Sequence, residues 1–585
     1  MRLFFSFLFL TLILILPAPP ARAAEPVEVV IRGVEEEMLD NVRVALGLPP
    51  GLVREGTVNR RWLKRFARQV PKKVGPALEP FGYFAADAEV ALEELEKNRF
   101  RLTVEVDPGE PVRVRLVRFE LVGPGEEASS LRDMVKDFPL REGAVLRQDR
   151  YEKAKGSLKA RALDLGYLAA GFPTHEILVH RGEGWADIDL VLETGPRYLF
   201  GHALLLGAED YPKGFLRRFL AFSPGEVFSH ARLGQTQLNF LDTDRFREVL
   251  ITPRIEAAED QRVSVEIHLA PSPRRRLRPG IGYGTDTGAR LSLEYRDLNV
   301  FHRAHLLEGD LLMAELRQSL TSSYTIPWGR NIQTATVLRL GYNREDIDTY
   351  ETQSIFAEGE VVRDYGKGRR GSVFLRLLQE DSTIADDDFR SRMVIPGIRY
   401  SRRRYPDTVR PKEGYHFRIE VRGGHQSLGS DTGLVQTLVS GNALLPLPGR
   451  LSLFARMDGG LTLQNEALEE FPVSLRFFAG GDQSVRGYAY QSLAPSDSDG
   501  EVVGGKHVLV GSLELERALG ENWGGALFYD IGNAFDSLSE YELAQGAGIG
   551  IRRYTPVGPV RIDLARQVGQ KDPSYRLHLS VGFGW

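Results

Sequence analysis

An α+β repeat region followed by a large transmembrane antiparallel β-barrel is the fold class this sequence predicts, and three observations predict it. Between residues 24 and 273, the order strand, helix, helix, strand, strand recurs three times, at a period of roughly 80 residues. From Pro279 onward, apolar and polar residues alternate in segments separated by turn-rich stretches, about sixteen of them, an even number as bacterial barrels have. The chain ends on the same alternation: Tyr575, Leu577, Leu579, Val581, Phe583 and Trp585 interleave with Arg576, His578, Ser580, Gly582 and Gly584. Such a strand has one face for lipid and one for a polar lumen.

At the start of the chain, Arg2 precedes an apolar stretch from Leu3 to Leu16, then a Pro-rich break and Ala21-Arg22-Ala23. A basic residue, a short apolar core and a small-x-small site make residues 1–23 a secretory signal peptide, with the mature chain starting near Ala24. The stretch is shorter than the ~20 apolar residues a spanning helix needs. Membrane insertion is therefore expected through strands that close on themselves.

The three repeats are bounded at 24–109, 110–195 and 196–273. Helices are expected at Asn59 to Glu79, Arg147 to Asp164 and His230 to Leu241, the last two with apolar residues at helical spacing. Phe81-Gly82-Tyr83-Phe84 and Leu165-Gly166-Tyr167-Leu168 close two of them, glycine supplying the left-handed stop; Thr243-Asp244-Arg245-Phe246 sits at the equivalent place in the third. Each repeat then carries an alternating strand: Phe100, Leu102, Val104, Val106; Ile188, Leu190, Leu192; Val263, Val265, Ile267. Turns at Pro108-Gly109, Gly195-Pro196 and Pro271 end them.

Arg274-Arg275-Arg276-Leu277-Arg278 reads as a basic linker ahead of the barrel, either merely solvated or holding the barrel mouth near anionic headgroups. In the barrel region Leu291, Leu293 and Tyr295 alternate with Arg290, Ser292, Glu294 and Arg296. Glycines cluster in the first segment (Gly280, Gly282, Gly284, beside Ile281 and Tyr283) and the last (Gly582, Gly584). They either weaken a closing seam or relieve crowding on the inner face.

The run Leu475-Arg476-Phe477-Phe478-Ala479-Gly480-Gly481-Asp482-Gln483-Ser484-Val485-Arg486-Gly487-Tyr488 sets one arginine in a glycine-rich loop between strand-like segments. Downstream, Phe528, Asp530 and Gly532 share one face of a strand, making Arg486 and Asp530 a candidate ion pair and Gly532 a candidate gap for the loop.

These two segments resemble the paired signatures of the BamA-like superfamily of outer-membrane assembly and secretion barrels. The fuller run through Tyr490 and Ser492-Leu493-Ala494-Pro495 is most similar to the TamA family within it. The repeats resemble POTRA domains, and three of them fit the TamA family better than the longer array of BamA. The resemblance implies a sixth extracellular loop folded into the lumen, with Val485, Arg486, Gly487 and Tyr488 as its locking motif and Glu514, Phe528, Asp530 and Gly532 as wall partners. It also implies a lateral seam between residues 280–284 and 581–585 (Val581, Gly582, Phe583, Gly584, Trp585). The function implied is an outer-membrane insertase assembling autotransporters and other outer-membrane proteins by strand templating. Its expected partners are unfolded clients, outer-membrane lipid and a TamB-like periplasmic protein anchored in the inner membrane. A secretion or lipid-transport pore is the alternative.

The composition carries no competing signal. There is no cysteine among 585 residues, so no disulfide framework, and a net charge of -4 leaves no nucleic-acid footprint. Gly-x-Ser-x-Gly and phosphate-loop motifs are absent, and His175-Glu176 with His180 departs from the His-Glu-x-x-His spacing. No enzyme, metal or cofactor reading is made.

Overall fold

The computed structural model describes residues 26–54, 57–96, 98–329, 331–385, 387–405, 412–464, 471–539, 541–555 and 558–582. The expected leader, and Phe583, Gly584 and Trp585 at the expected seam, lie outside them. The chain divides into two compact units: residues 1–203, 222–234 and 253–265 form one, and 204–221, 235–252 and 266–585 the other.

In the first unit two three-stranded sheets follow each other. Val27–Arg32 lies parallel to the central strand Arg99–Asp107, and Asp87–Glu96 antiparallel on its other side. The central strand buries Phe100, Leu102, Val104 and Val106, the alternating set, and the last three pack with Phe66, Val70 and Val74 of helix Arg60–Leu78. That helix starts where Asn59 Oδ1 accepts the Trp62 N–H at 3.1 Å. Its buried Leu63, Phe66, Val70, Val74 and Ala77 keep helical spacing, and the helix runs through Pro71 and Pro76. The second sheet repeats the plan, with Trp185–Glu193 between Arg113–Val122 (parallel) and Gly171–His180 (antiparallel), backed by helix Gln148–Asp164.

The helix-closing glycines do more than stop a helix. Gly82 (φ +94°) and Gly166 (φ +89°) are left-handed. The carbonyl of Gly82 accepts the Val112 N–H at 2.8 Å, and that of Gly166 accepts the Tyr198 N–H at 2.8 Å. Each glycine thus forms a backbone joint to the chain entering the next repeat. A Cβ on Gly166 would lie 2.9 Å from the Tyr198 carbonyl oxygen and 2.8 Å from Val227. Gly166→Ala is therefore expected to loosen this joint, by about 1–2 kcal/mol of combined backbone strain and collision. Faster limited proteolysis between residues 193 and 199 would report it, and an unchanged cleavage rate would refute the joint.

A third sheet orders its strands Phe246–Pro253, Arg262–Pro271, Leu199–Leu206. Its Val263, Val265 and Ile267 are fully buried, as in the other two repeats. Here the left-handed position is filled by Asp244 (φ +57°). Within the second unit, Tyr211, Phe215, Phe219, Phe240 and Phe246 form an aromatic chain with ring centroids 5.1–5.9 Å apart. Two arginines beside it reach barrel turns: Arg245 donates to the Ala304 carbonyl (2.9 Å) and Arg218 to the Trp328 carbonyl (3.1 Å).

Sixteen antiparallel strands close the barrel, from Arg275–Gly284 to Tyr575–Val581. The expected basic linker is corrected by this boundary, because Arg275, Arg276 and Arg278 belong to the first strand. Outward Leu277, Ile281 and Tyr283 alternate with Arg276, Arg278 and the glycines, so the run is a barrel strand whose inner face is charged at one end. Arg274 and Arg275 both bond Asp297 of the second strand, at 3.0 and 3.2 Å.

Candidate functional site: an inward loop and the barrel seam

Residues 471–506, between the eleventh strand, Leu451–Gln464, and the twelfth, His507–Ala518, fold into the barrel. Arg486 is 5% exposed and its partner Asp530, on the thirteenth strand Trp523–Phe535, is wholly buried. The guanidinium forks onto this carboxylate, Nε to Oδ2 at 2.7 Å and Nη2 to Oδ1 at 3.0 Å, while the Arg486 backbone N–H donates to Oδ2 at 3.1 Å. Its Nη1 donates to Glu514 at 2.7 Å, and its carbon lies 3.4 Å from the centroid of the Phe528 ring. Arg486, Asp530, Glu514 and Phe528 therefore meet. Gly532 does not receive the loop: a Cβ there would meet the backbone and side chain of Val510 at 2.8 Å. Val510 in turn packs against Val485 and Tyr488. The wall glycines that the loop approaches include Gly546, where a Cβ would overlap the Arg486 carbonyl oxygen, and Gly460, where it would overlap the Phe477 ring; Gly487 (φ +99°) turns the loop beside Gly546.

Three members of the cluster escaped the sequence reading. Asp563 accepts from Arg486 at 3.3 Å; Arg552 bridges Asp563 (2.5 Å) and Glu514 (2.8 Å); Ser512 donates to Asp530 at 2.6 Å. Two guanidiniums and three carboxylates thus share a nearly dry site, every carboxylate bonded to at least one guanidinium and the cluster left with one excess negative charge. A buried network of this kind fixes geometry more than it adds net stability.

The loop also grips the opposite wall. The Tyr490 hydroxyl donates to Glu345 at 3.0 Å and the Ser474 N–H to Glu380 at 3.1 Å. Phe471 and Leu475 pack with Leu378, Met393, Ile395 and Leu434 of three wall strands. The loop is therefore a strap across the lumen, held at both ends.

At the seam, the first and last strands share two residue pairs among the described residues, Tyr283 with Val581 and Gly284 with Ser580. On their other edges the first strand has ten pairs and the last seven. Gly280, Gly282 and Gly284 face inward, and a Cβ on Gly282 would crowd Arg290 and sit 2.7 Å from the Val581 carbonyl oxygen. Crowding thus accounts for Gly282 without excluding a weak seam. Side chains supplement the short ladder: Arg290 donates to the Val581 carbonyl at 3.1 Å, and Asp286 faces His578 of the last strand at 3.6 Å. The strap touches both edges, since the Asp482 N–H donates to Asp286 at 2.5 Å and the Gly487 N–H to His578 Nε2 at 3.3 Å.

Residues 299–585 match the Omp85 superfamily domain, and residues 28–108 match the first POTRA domain of TamA. Outer membrane protein assembly factor BamA of Nitratidesulfovibrio vulgaris is 23% identical over 64% of this chain and 49% of its own length. BamA of Neorickettsia risticii is 21% identical over 83% of this chain and 67% of its own. The chain thus spans about half the first relative and two thirds of the second. In fold, it is similar to the crystal structure of Haemophilus ducreyi BamA lacking POTRA domains 1–3. The TM-score is 0.66 at 16% identity, over 80% of this chain and 99% of that one.

Proposed function

We propose that this chain, an outer-membrane β-barrel protein of the Omp85 superfamily with periplasmic POTRA structure ahead of its barrel, is an insertase that templates client strands at its seam. The short ladder between the first and last strands carries the reading. Among the described residues this edge is held by two residue pairs, the Thr285 N–H on the Leu579 carbonyl (3.0 Å) and a few side chains, which it can exchange for a client strand that restores backbone hydrogen bonds in kind. Residues 24–109, 110–195 and 196–273 act as three POTRA modules that receive unfolded chains in the periplasm, and 274–585 is the catalyst of insertion. The first module's match to TamA supports autotransporters among the clients and a TamB-like, inner-membrane-anchored partner.

A second reading, a secretion or lipid-transport pore, draws on the lumen wall. Arg339, Glu358, Arg399 and Glu420 form ion pairs there, suited to a watery interior once the strap is released. One experiment separates the two: photoreactive residues placed at Ile281, outward and 83% exposed beside the seam, and at Arg418, on the inner wall. Crosslinks between Ile281 and the terminal strand of an assembling barrel client are expected. Client crosslinks from the Arg418 probe alone would replace the insertase with the pore.

A further inference from the structure

On the lipid-facing wall, away from the seam, an apolar groove of about 750 Å³ crosses the fourth to eighth barrel strands, Arg317–Pro327 to Asp387–Arg404. Two rows of paired residues build it. One runs Leu320, Tyr342, Ile355, Gln379, Arg392 and the other Ser322, Leu340, Ala357, Leu377, Val394. These side chains point outward: Leu340 is 65% exposed and Ile355 60%. The depression exists because small Ser322 and Ala357 alternate with the leucines in the second row. Its volume lies within the range of small-ligand sites, of order 300–1,000 Å³.

The register also fixes its depth. The row above, toward the extracellular tips, is Arg344, Gln353, Asp381, Arg390 and is wholly polar; the row below is Tyr324, Leu338, Gly359, Leu375, Pro396. The groove therefore begins where the polar rim gives way to the hydrocarbon band, at the outer-leaflet interface. Charges on the rim are mostly spoken for: Arg344 pairs with Glu351 at 2.8 Å, Arg390 with Asp381 at 2.5 Å, and Asp431 accepts the Arg392 backbone N–H at 2.6 Å. The exposed Arg392 guanidinium has no hydrogen-bond or ion-pair partner among the described residues. We infer that this groove binds an acyl chain of a phosphate-bearing outer-leaflet lipid, whose headgroup meets Arg392. A guanidinium matches phosphate in geometry as well as charge.

The test uses the full-length protein in phosphatidylcholine vesicles containing a minor fraction of phosphatidylglycerol, with a photoreactive acyl chain on one lipid or the other. Labelling is expected to concentrate on residues 340, 355, 357 and 377. Ala357→Leu, which fills the floor without touching the lumen, should abolish this concentration for both lipids. Arg392→Gln should keep the chain site but lower the preference for phosphatidylglycerol about fivefold, the equivalent of one basic residue at a charged surface. Heat-modifiable gel migration establishes that both variants are folded. Labelling spread evenly round the barrel, or unchanged in Ala357→Leu, overturns the site. An undiminished preference in Arg392→Gln overturns the anionic ligand.

Discussion

Replacing Arg486 with alanine is expected to destabilise the folded barrel by about 3–5 kcal/mol, because it leaves buried carboxylates without their counter-charge. Asp530 is wholly buried and would keep only neutral donors, the Ser512 hydroxyl and the backbone N–H of residue 486, among the described residues, and Glu514 and Asp563 would share the single guanidinium of Arg552. Only the backbone N–H of residue 486 would still tie the strap to Asp530. A urea titration followed by heat-modifiable migration reads the loss, and protease cleavage between residues 475 and 505 reads the release of the strap. Arg486→Lys should fall between, since an ammonium keeps the charge but not the fork. Pairing Arg486→Ala with Asp530→Asn should recover part of the loss. A variant as stable as the parent, with its strap still protected, would dissolve the lock.

Cysteines at positions 283 and 581 should close the seam covalently. Tyr283 and Val581 are directly opposed partners, and the ~4.5–5.5 Å between Cα atoms of such a pair suits a disulfide. With no native cysteine, no other pairing competes. The oxidised protein is expected to stay folded but lose assembly of barrel clients entirely, and reductant should restore it. A control bond between positions 291 and 313, opposed and outward on the second and third strands, should leave activity intact. Full activity of the oxidised 283–581 protein would end the lateral-opening reading.

What could be read ahead of the structure, and what could not, divides along sequence distance. Phe100 to Val106 and Val263 to Ile267 announced central strands because period-two burial is local. Gly82 and Gly166 announced helix ends, but their carbonyls bond residues about thirty positions on, so the joints were invisible. Arg486 and Asp530 were legible through the unusual glycine and aromatic setting of each. Asp563, Arg552 and His578 sit in ordinary alternating strands, where inward positions are polar or small and nothing marks the one that meets the loop. Gly532 was misread for want of register: the neighbour it accommodates, Val510, lies on a strand whose pairing only the closed barrel defines. The arginines at 275–278 looked like a linker because an inward charged face blurs the period of a short run.

The lock on Arg486 has an order written into it. Its acceptors Glu514, Asp530 and Asp563 come 28, 44 and 77 residues after it in the chain, and His578, 91 residues beyond Gly487, comes later still. A ribosome therefore delivers the arginine before any residue that can neutralise it, and a chain stopped short of Asp563 has no completed home for that charge. Completing the lock therefore requires the fifteenth strand in place, and the seated strap reports that this strand has arrived.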